Sequence, residues 1–208
     1  MKNLCITTRS GRQVNLLEPQ YCQIDIGDIA HGLAYQCRFN GQTSRFYSIA
    51  QHSLMVASIL PDHLKLAGLL HDAAEAYVGD VVQPLKVLLP EYQAIENRFT
   101  QAIGLRFNVN LDHHPEVKHA DLIALATEKR DLLPRERSDW DLLKGIRPLD
   151  RLTLPMTPEQ SEETFMRTFF ALLEARQRRP IKSIGLSNQE GFHPYDILHK
   201  SLGKFGTY

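Results

Sequence analysis

Hydrophobic residues return every three or four positions along most of the chain, which is the spacing of one face of an α-helix. Residues that typically start helices precede several of these stretches, namely Asp25 or Asp28, Ser48, Pro61 and Pro115. Near the N-terminus, apolar and polar residues alternate on both sides of Gly11, as in two strands joined by a turn. The pattern predicts an all-α fold of about six or seven helices with a small N-terminal β-hairpin.

The predicted boundaries follow from the same pattern. We expect strands at residues 6–8 and 14–16, a first helix from Asp25 or Asp28 to about residue 37, a short helical turn within 80–90, and helices over about 48–60, 61–79, 91–106, 115–133 and 161–176. Residues 134–157 are expected to form an ordered connection. The length suits one domain, which we assign to residues 1–180, followed by a C-terminal tail over 181–208.

Charge and hydropathy exclude some classes of partner. Basic and acidic residues balance at 24 each, whereas a groove for long nucleic acid usually carries a basic excess, so a small phosphorylated ligand is easier to accommodate. No apolar run approaches the roughly 18–20 residues that span a membrane, and residues 1–9 are too polar for a secretory signal. We expect a cytoplasmic protein without membrane or nucleic-acid partners, with its three cysteines reduced.

Residues 71–80 place one histidine, three carboxylates and a glycine in an otherwise apolar helical stretch. Carboxylates in such surroundings are costly unless a cation binds them. The candidate metal ligands, all in apolar helical surroundings, are His52, His71, Asp72 and Asp121. Imidazole and carboxylate ligands suit zinc or a first-row transition metal better than calcium, and the absence of a thiolate favours a site open to water and substrate. Spacing alone leaves hydrogen-bonded structural residues as the alternative.

The ordered ligand set resembles the H…HD…D signature of the HD-domain metal-dependent phosphohydrolases. The stretch H-D-x-x-E-x-x-x-G-D-x-x-x-P-x-K of the bacterial 5′-deoxynucleotidase branch is matched by His71, Asp72, Glu75, Gly79, Asp80, Pro84 and Lys86. Arg38 and Phe39 resemble the arginine-aromatic pair that this branch places beside its substrate. The likeness spans about residues 25–135 and implies an HD-domain helical bundle. The hairpin and residues 28–53 also resemble short phage and bacterial members of the superfamily, including dATP triphosphohydrolases.

The resemblance implies a metal and two catalytic carboxylates. The four candidate ligands would hold one divalent transition metal (Co, Mn, Zn, Fe or Ni), with Mg²⁺ as an optional further ion on the substrate phosphates. Such a metal lowers the pKa of its bound water. Glu75 is expected to act as the general base on that water, an exposed helix glutamate being the alternative. Asp80 is expected beside the sugar and the leaving oxygen, a simple helix-terminating turn being the alternative.

Cations are needed because a transferring phosphoryl group spreads negative charge over its oxygens. Arg38 is the first candidate, since its planar guanidinium pairs well with phosphate. Lys86 and Lys118 are further candidates, with solvated surface positions as the alternative. Phe39 is a candidate to stack on a base, or else a core residue. The alternating charges at residues 128–131 are most simply explained as a solvated helix face.

These residues together predict an enzyme that hydrolyses deoxynucleotide phosphate bonds with a metal-held water. The phage-like resemblance favours a triphosphohydrolase that releases deoxynucleoside and triphosphate, and a 5′-deoxynucleotidase acting on monophosphates is the alternative. Three or more basic groups around the metal would favour a triphosphate, and one or two a monophosphate. A catalytically inactive nucleotide-binding module and a cyclic-nucleotide or dinucleotide phosphodiesterase are further alternatives. We also expect the chain to form at least a dimer.

Overall fold

The computed structural model describes residues 4–112, 114–135 and 140–178, so the predicted tail over 181–208 lies outside the described residues. Within them the prediction of an all-α fold with a small hairpin is confirmed. The strands are β1 (Cys5–Thr7) and β2 (Gln13–Asn15), and the helices are α1 (Ile26–Tyr35), α2 (Ile49–Ile59), α3 (Lys65–Leu70), α4 (Glu75–Val78), α5 (Gln83–Lys86), α6 (Pro90–Phe107), α7 (Pro115–Leu132) and α8 (Pro158–Gln177).

The hairpin is fixed to α1 by one of the two aspartates that could have capped this helix. β1 and β2 pair antiparallel with Ile6 opposite Val14. Asp25 is the N-cap, and its side chain accepts from the backbone N–H of Gly27 at 2.8 Å. Asp28, which is buried, instead accepts from the backbone N–H and the hydroxyl of Ser10 at 2.8 and 2.7 Å. The second candidate cap therefore joins the hairpin turn to the helical domain.

Side-chain caps set the starts of α2 and α8. Ser48 accepts from the backbone N–H of Gln51 at 3.1 Å, as its position before α2 predicted. The predicted start of α8 at Ser161 is late by one turn, because Thr157, immediately before Pro158, is the N-cap and forms a capping box with Gln160. Ser161 is consequently a buried residue inside the first turn of α8.

The continuous helix predicted over residues 61–79 is wrong, because it starts later and is interrupted. α3 begins at Lys65, and residues 71–74 form a turn before α4. In this turn the N–H of Glu75 donates to the carbonyl of Asp72 at 3.0 Å, so the chain is wound with three residues per hydrogen-bonded turn rather than four. Gly79 then ends α4 with a φ of 87°, a conformation that glycine adopts without strain.

The core lies between α1, α2, α3 and α8, with fully buried residues such as Leu33, Leu69, Phe165 and Phe169. A second apolar cluster, which includes Val56 and Ala124, joins α2 to α7. α2 therefore has α3 on one side and α7 on the other, so polar side chains on these elements can converge. No helix among the described residues is both long and apolar enough to cross a membrane.

The connection after α7 is ordered where it is described. Two residues of the charged stretch 128–131, which was predicted to be solvated, form hydrogen bonds with the backbone of this connection. Arg130 donates to the carbonyls of Leu149 and Arg151 at 2.5 and 2.9 Å. Asp131 accepts from the backbone N–H of Thr153 at 2.8 Å, and its side chain is only 6% exposed. The prediction of a fully solvated face is therefore wrong, because the C-terminal end of α7 is covered by this connection.

Candidate metal centre

Two imidazoles and a carboxylate meet where α2 faces the turn between α3 and α4. One nitrogen each of His52 and His71 and one oxygen of Asp72 all lie within 4.8 Å of one another. Asp72 Oδ2 is 3.1 Å from His71 Nε2 and 3.5 Å from His52 Nε2. The interrupted helix makes this possible, since adjacent residues 71 and 72 both reach the same point from the turn. These three side chains form a possible metal-binding triad.

Asp121 lies beside the triad but is not among the residues whose ligand atoms all lie within 4.8 Å of one another. Its Oδ1 is 3.1 Å from His52 Nε2, and it projects from α7. The structure thus places all four predicted ligands in one region. The contact of Asp121 is with His52, whereas Asp72 contacts both imidazoles.

The other nitrogen of each imidazole is held by an acceptor, which fixes the tautomers. His71 Nδ1 lies 2.8 Å from the carbonyl oxygen of Gly68, and because a carbonyl only accepts, Nδ1 carries the proton. His52 Nδ1 lies 2.7 Å from Glu128 Oε1, so this nitrogen donates to a carboxylate. Both Nε2 atoms are buried, and among the described residues the atoms that face them are carboxylate oxygens, 3.1 Å away at Asp121 for His52 and 3.1 Å away at Asp72 for His71. A carboxylate cannot donate to a neutral imidazole, so each Nε2 needs either a proton or a shared metal ion between it and the carboxylates.

The charges around the imidazoles favour a cation at this point. Burial raises the pKa of Asp72, but the neighbouring His71, His52 and Arg38 outweigh burial and hold it well below its usual range. Burial and Arg38 lower the pKa of His52, while Glu128 and Asp121 outweigh them and raise it to about 10. Positive charge is thus stabilised between the imidazoles and the carboxylates, where a divalent ion would replace the proton.

Glu128 is the functional candidate that the sequence analysis missed. Its side chain is fully buried, with Oε1 on His52 and Oε2 3.3 Å from Arg38 Nε. Burial raises its pKa, but Arg38 and His52 outweigh burial and keep it lowered, so the carboxylate is ionised. The usable signal was its position seven residues after Asp121, which returns to the same face of α7. A carboxylate behind a histidine ligand orients the ring and raises its basicity.

Arg38 lies between the His52–Glu128 pair and Asp72, on the open side of the metal centre. Its Nη1 lies 3.6 Å from Asp72 Oδ2, and its side chain is only 12% exposed. The carboxylates of Glu128 and Asp72 raise the pKa of Arg38 against the opposing effect of burial. Phe39 follows with a left-handed φ of 54°, and its ring centroid is 5.2 Å from the guanidinium carbon. The guanidinium therefore lies close enough to the Phe39 ring for a cation–π contact.

Glu75 is buried, so the alternative of an exposed helix glutamate is wrong. Lys86 donates to its Oε1 at 3.3 Å and to Glu96 at 2.7 Å, while Oε2 is buried without a hydrogen-bond partner among the residues that the structure describes. Burial and the nearby Asp72 and Asp80 raise the pKa of Glu75 well above its usual range. Burial likewise raises the pKa of Asp80. A carboxylate with a raised pKa is a stronger base for a water proton.

A cavity of about 1450 Å³ adjoins the triad, larger than the roughly 300–1,000 Å³ of most small-molecule sites. Nine of the ten predicted site residues line it. The tenth, His52, is fully buried behind the wall and reaches the centre only through its Nε2. Lys118 and Asp121 both line the cavity, as expected for residues three apart on one helix. Lys118 itself is exposed.

Known relatives place the chain in a family. Over 173 residues the chain is 38% identical to "Uncharacterized protein YfdR" of Escherichia coli K12, an alignment that covers 83% of this chain and 97% of the relative. The chain belongs to the YfdR family. It is also 42% identical over 150 residues to "Uncharacterized protein RCAP_rcc00048" of Rhodobacter capsulatus, covering 65% of this chain and 76% of that protein. No family model matches the chain.

Proposed function

We propose that this YfdR-family protein is an HD-type metal-dependent phosphohydrolase of deoxynucleotides. The observation that carries the proposal is the orientation of two buried imidazoles. Glu128 and the Gly68 carbonyl each hold an Nδ1, and both Nε2 atoms face Asp72 beside the cavity. Carboxylate oxygens rather than hydrogen-bond donors face these nitrogens, at 3.1 Å in each case, so positive charge is needed there and a metal ion would supply it to both imidazoles at once.

The donor set supports a divalent transition metal such as Mn, Co, Fe, Ni or Zn, because two imidazoles and carboxylates are present without a thiolate. When bound, the metal would supply an acidified water and polarise a phosphoryl oxygen. Glu75 is the residue of the chain suited to take the proton of that water, since its Oε2 is buried, unpartnered and on the cavity wall. Lys86 orients Glu75 by donating to the other oxygen.

The cations favour a triphosphate, so the leading proposal is a dNTP triphosphohydrolase that releases deoxynucleoside and triphosphate. Three arginine or lysine residues line the described cavity, which meets the number expected for that substrate: Arg38, Lys86 and Lys118. The first two are already paired with carboxylates. This pairing reduces the charge available for phosphates and keeps a 5′-deoxynucleotidase acting on monophosphates as the second candidate.

The inactive-module alternative is disfavoured by Glu75. A binding module has no use for a buried, unpartnered carboxylate oxygen beside the possible metal ligands, and such an oxygen lowers stability. The expected self-association and cytoplasmic location stay predictions.

The test is a screen of deoxynucleoside mono-, di- and triphosphates with the full chain loaded with Mn²⁺ or Co²⁺. The proposal predicts hydrolysis of dNTPs with tripolyphosphate as the product, whereas orthophosphate from dNMPs would select the second candidate. Lys118→Ala is expected to raise KM for a dNTP more than for the matching dNMP, with Lys65→Ala, a lysine of α3 outside the cavity, as the control. Failure of the metal-loaded chain to hydrolyse any nucleotide would refute the proposal.

A further inference from the structure

One face of α7 changes from charged to apolar along the cavity. Lys118, Leu122 and Leu125 are spaced by four and three residues, so they lie on one helix face, and all three line the cavity. Asp121 follows Lys118 by three residues, which places it about one helical turn further along α7. The stripe therefore begins with a cation, passes the metal centre and continues with leucines.

Beyond Leu125, this part of α7 lies near Trp140, the single tryptophan of the chain. Lys129 lies four residues beyond Leu125, and its Nζ is 4.8 Å from the centroid of the Trp140 ring. At 1.5 Å per residue, Lys129 is about 12 Å along the helix from Asp121. Trp140 lines the same cavity as the metal centre, together with Leu142. The metal centre is thus ionic, whereas the wall that carries Leu122, Leu125, Trp140 and Leu142 is mainly apolar, with Asp141 as its charged member.

A nucleotide has the same polarity as this cavity, with phosphates at one end and a flat aromatic base at the other. We propose that Trp140 is the wall on which the nucleobase packs, with the sugar lying across Leu122 and Leu125. This inference rests on the proposed function and specifies where its substrate is held. It assigns the base to Trp140 rather than to Phe39, which the sequence offered either as a stacking residue or as a core residue. Phe39 instead packs against the Arg38 guanidinium, whose central carbon is 5.2 Å from the centroid of its ring.

The test uses the tryptophan as its own probe, with the full-length, metal-loaded chain and two ligands that it cannot turn over. 2′-Deoxyadenosine carries the base without phosphates, and inorganic tripolyphosphate carries phosphates without a base. Because Trp140 is the only tryptophan, deoxyadenosine is expected to quench its fluorescence saturably, and tripolyphosphate is expected to bind without this quenching.

Calorimetric titration of variants gives the second readout. Base stacking on an aromatic side chain corresponds to about a five- to 150-fold change in affinity on its loss. Trp140→Ala is expected to weaken deoxyadenosine binding within this range and leave tripolyphosphate binding unchanged, and Trp140→Phe is expected to recover most of the affinity. Tyr21→Ala removes an exposed aromatic residue outside the cavity and serves as the control.

The outcomes separate this inference from the proposed function. If nucleotides bind and are hydrolysed while Trp140→Ala binds deoxyadenosine like the wild type, the inference is wrong and the proposed function stands. Loss of deoxyadenosine binding in Phe39→Ala alone would return the base to Phe39 and equally overturn the inference. If neither deoxyadenosine nor any nucleotide binds the wild-type protein, both proposals fail.

Discussion

Replacing Glu128 by glutamine tests whether the carboxylate behind His52 belongs to the metal centre. The amide of Glu128→Gln can still accept from His52 Nδ1, but it removes the negative charge that lies 2.7 Å from the ring and 3.3 Å from Arg38. Loss of such an outer carboxylate usually costs about 10–100-fold in metal affinity or activity. We expect a loss in this range, because the burial of Glu128 leaves solvent unable to replace the charge.

The assay is competition for Co²⁺ or Zn²⁺ between the protein and a chromophoric chelator, with thermal unfolding measured on the metal-free protein. Glu163→Gln, an exposed glutamate on α8, makes the same chemical change away from the centre and is expected to leave the affinity unchanged. A folded Glu128→Gln protein that binds the metal within twofold of the wild type would refute the role assigned to Glu128. A lower melting temperature alone would indicate only a structural ion pair.

Three further predictions concern catalysis, packing and pH. Glu75→Gln is expected to keep the metal and lower turnover by about 100-fold or more, measured by product release, and turnover within a few-fold of the wild type would exclude a base role. In Gly32→Ala the added methyl would lie 2.9 Å from both Cβ and the carbonyl oxygen of Ala76 in α4. We therefore expect thermal unfolding to show about 1–3 kcal/mol of destabilisation, although alanine has the better helix propensity. An unchanged stability would contradict this packing. The hydrogen bond from Arg130 lowers the pKa of Asp131, so its stabilisation is present above the unfolded-state pKa near 4 and disappears as the pH falls through the folded value. Asp131→Asn should therefore be less stable than the wild type by about 1–3 kcal/mol at pH 7, with a smaller difference at about pH 3, and an equal deficit at both would show that charge is not the cause.

Local start signals predicted two helices well, but the signal at Pro61 failed, since α3 begins only at Lys65. Ser48 caps α2 as its position before an apolar stretch suggested, and Pro115 is the first residue of α7. The interruption before Glu75 had no such signal, because alanines at residues 73 and 74 suit any helical winding. Its consequence is tertiary, since the turn lets His71 and Asp72 both face His52.

The site was predictable for residues with an unusual type in an apolar setting and unpredictable for those in a charged one. His52 and Asp72 stand out among aliphatic neighbours, so they were recognised as ligand candidates. Glu128 is followed by lysine, arginine and aspartate, and this alternation conceals a fully buried carboxylate. Trp140 lies beside the cavity because of the course that the connection after α7 takes, and no local sequence pattern predicts that course.

The most direct test of the account is the amount of metal that the chain binds. After loading with Co²⁺ or Mn²⁺ and exhaustive dialysis, elemental analysis of the wild-type protein should give one ion per chain. Asp72→Ala should bind almost none while keeping its helical circular-dichroism spectrum, because this residue is the carboxylate shared by both imidazoles. Absence of metal from the wild type, or equal metal in the folded variant, would contradict the metal centre on which the proposed function depends.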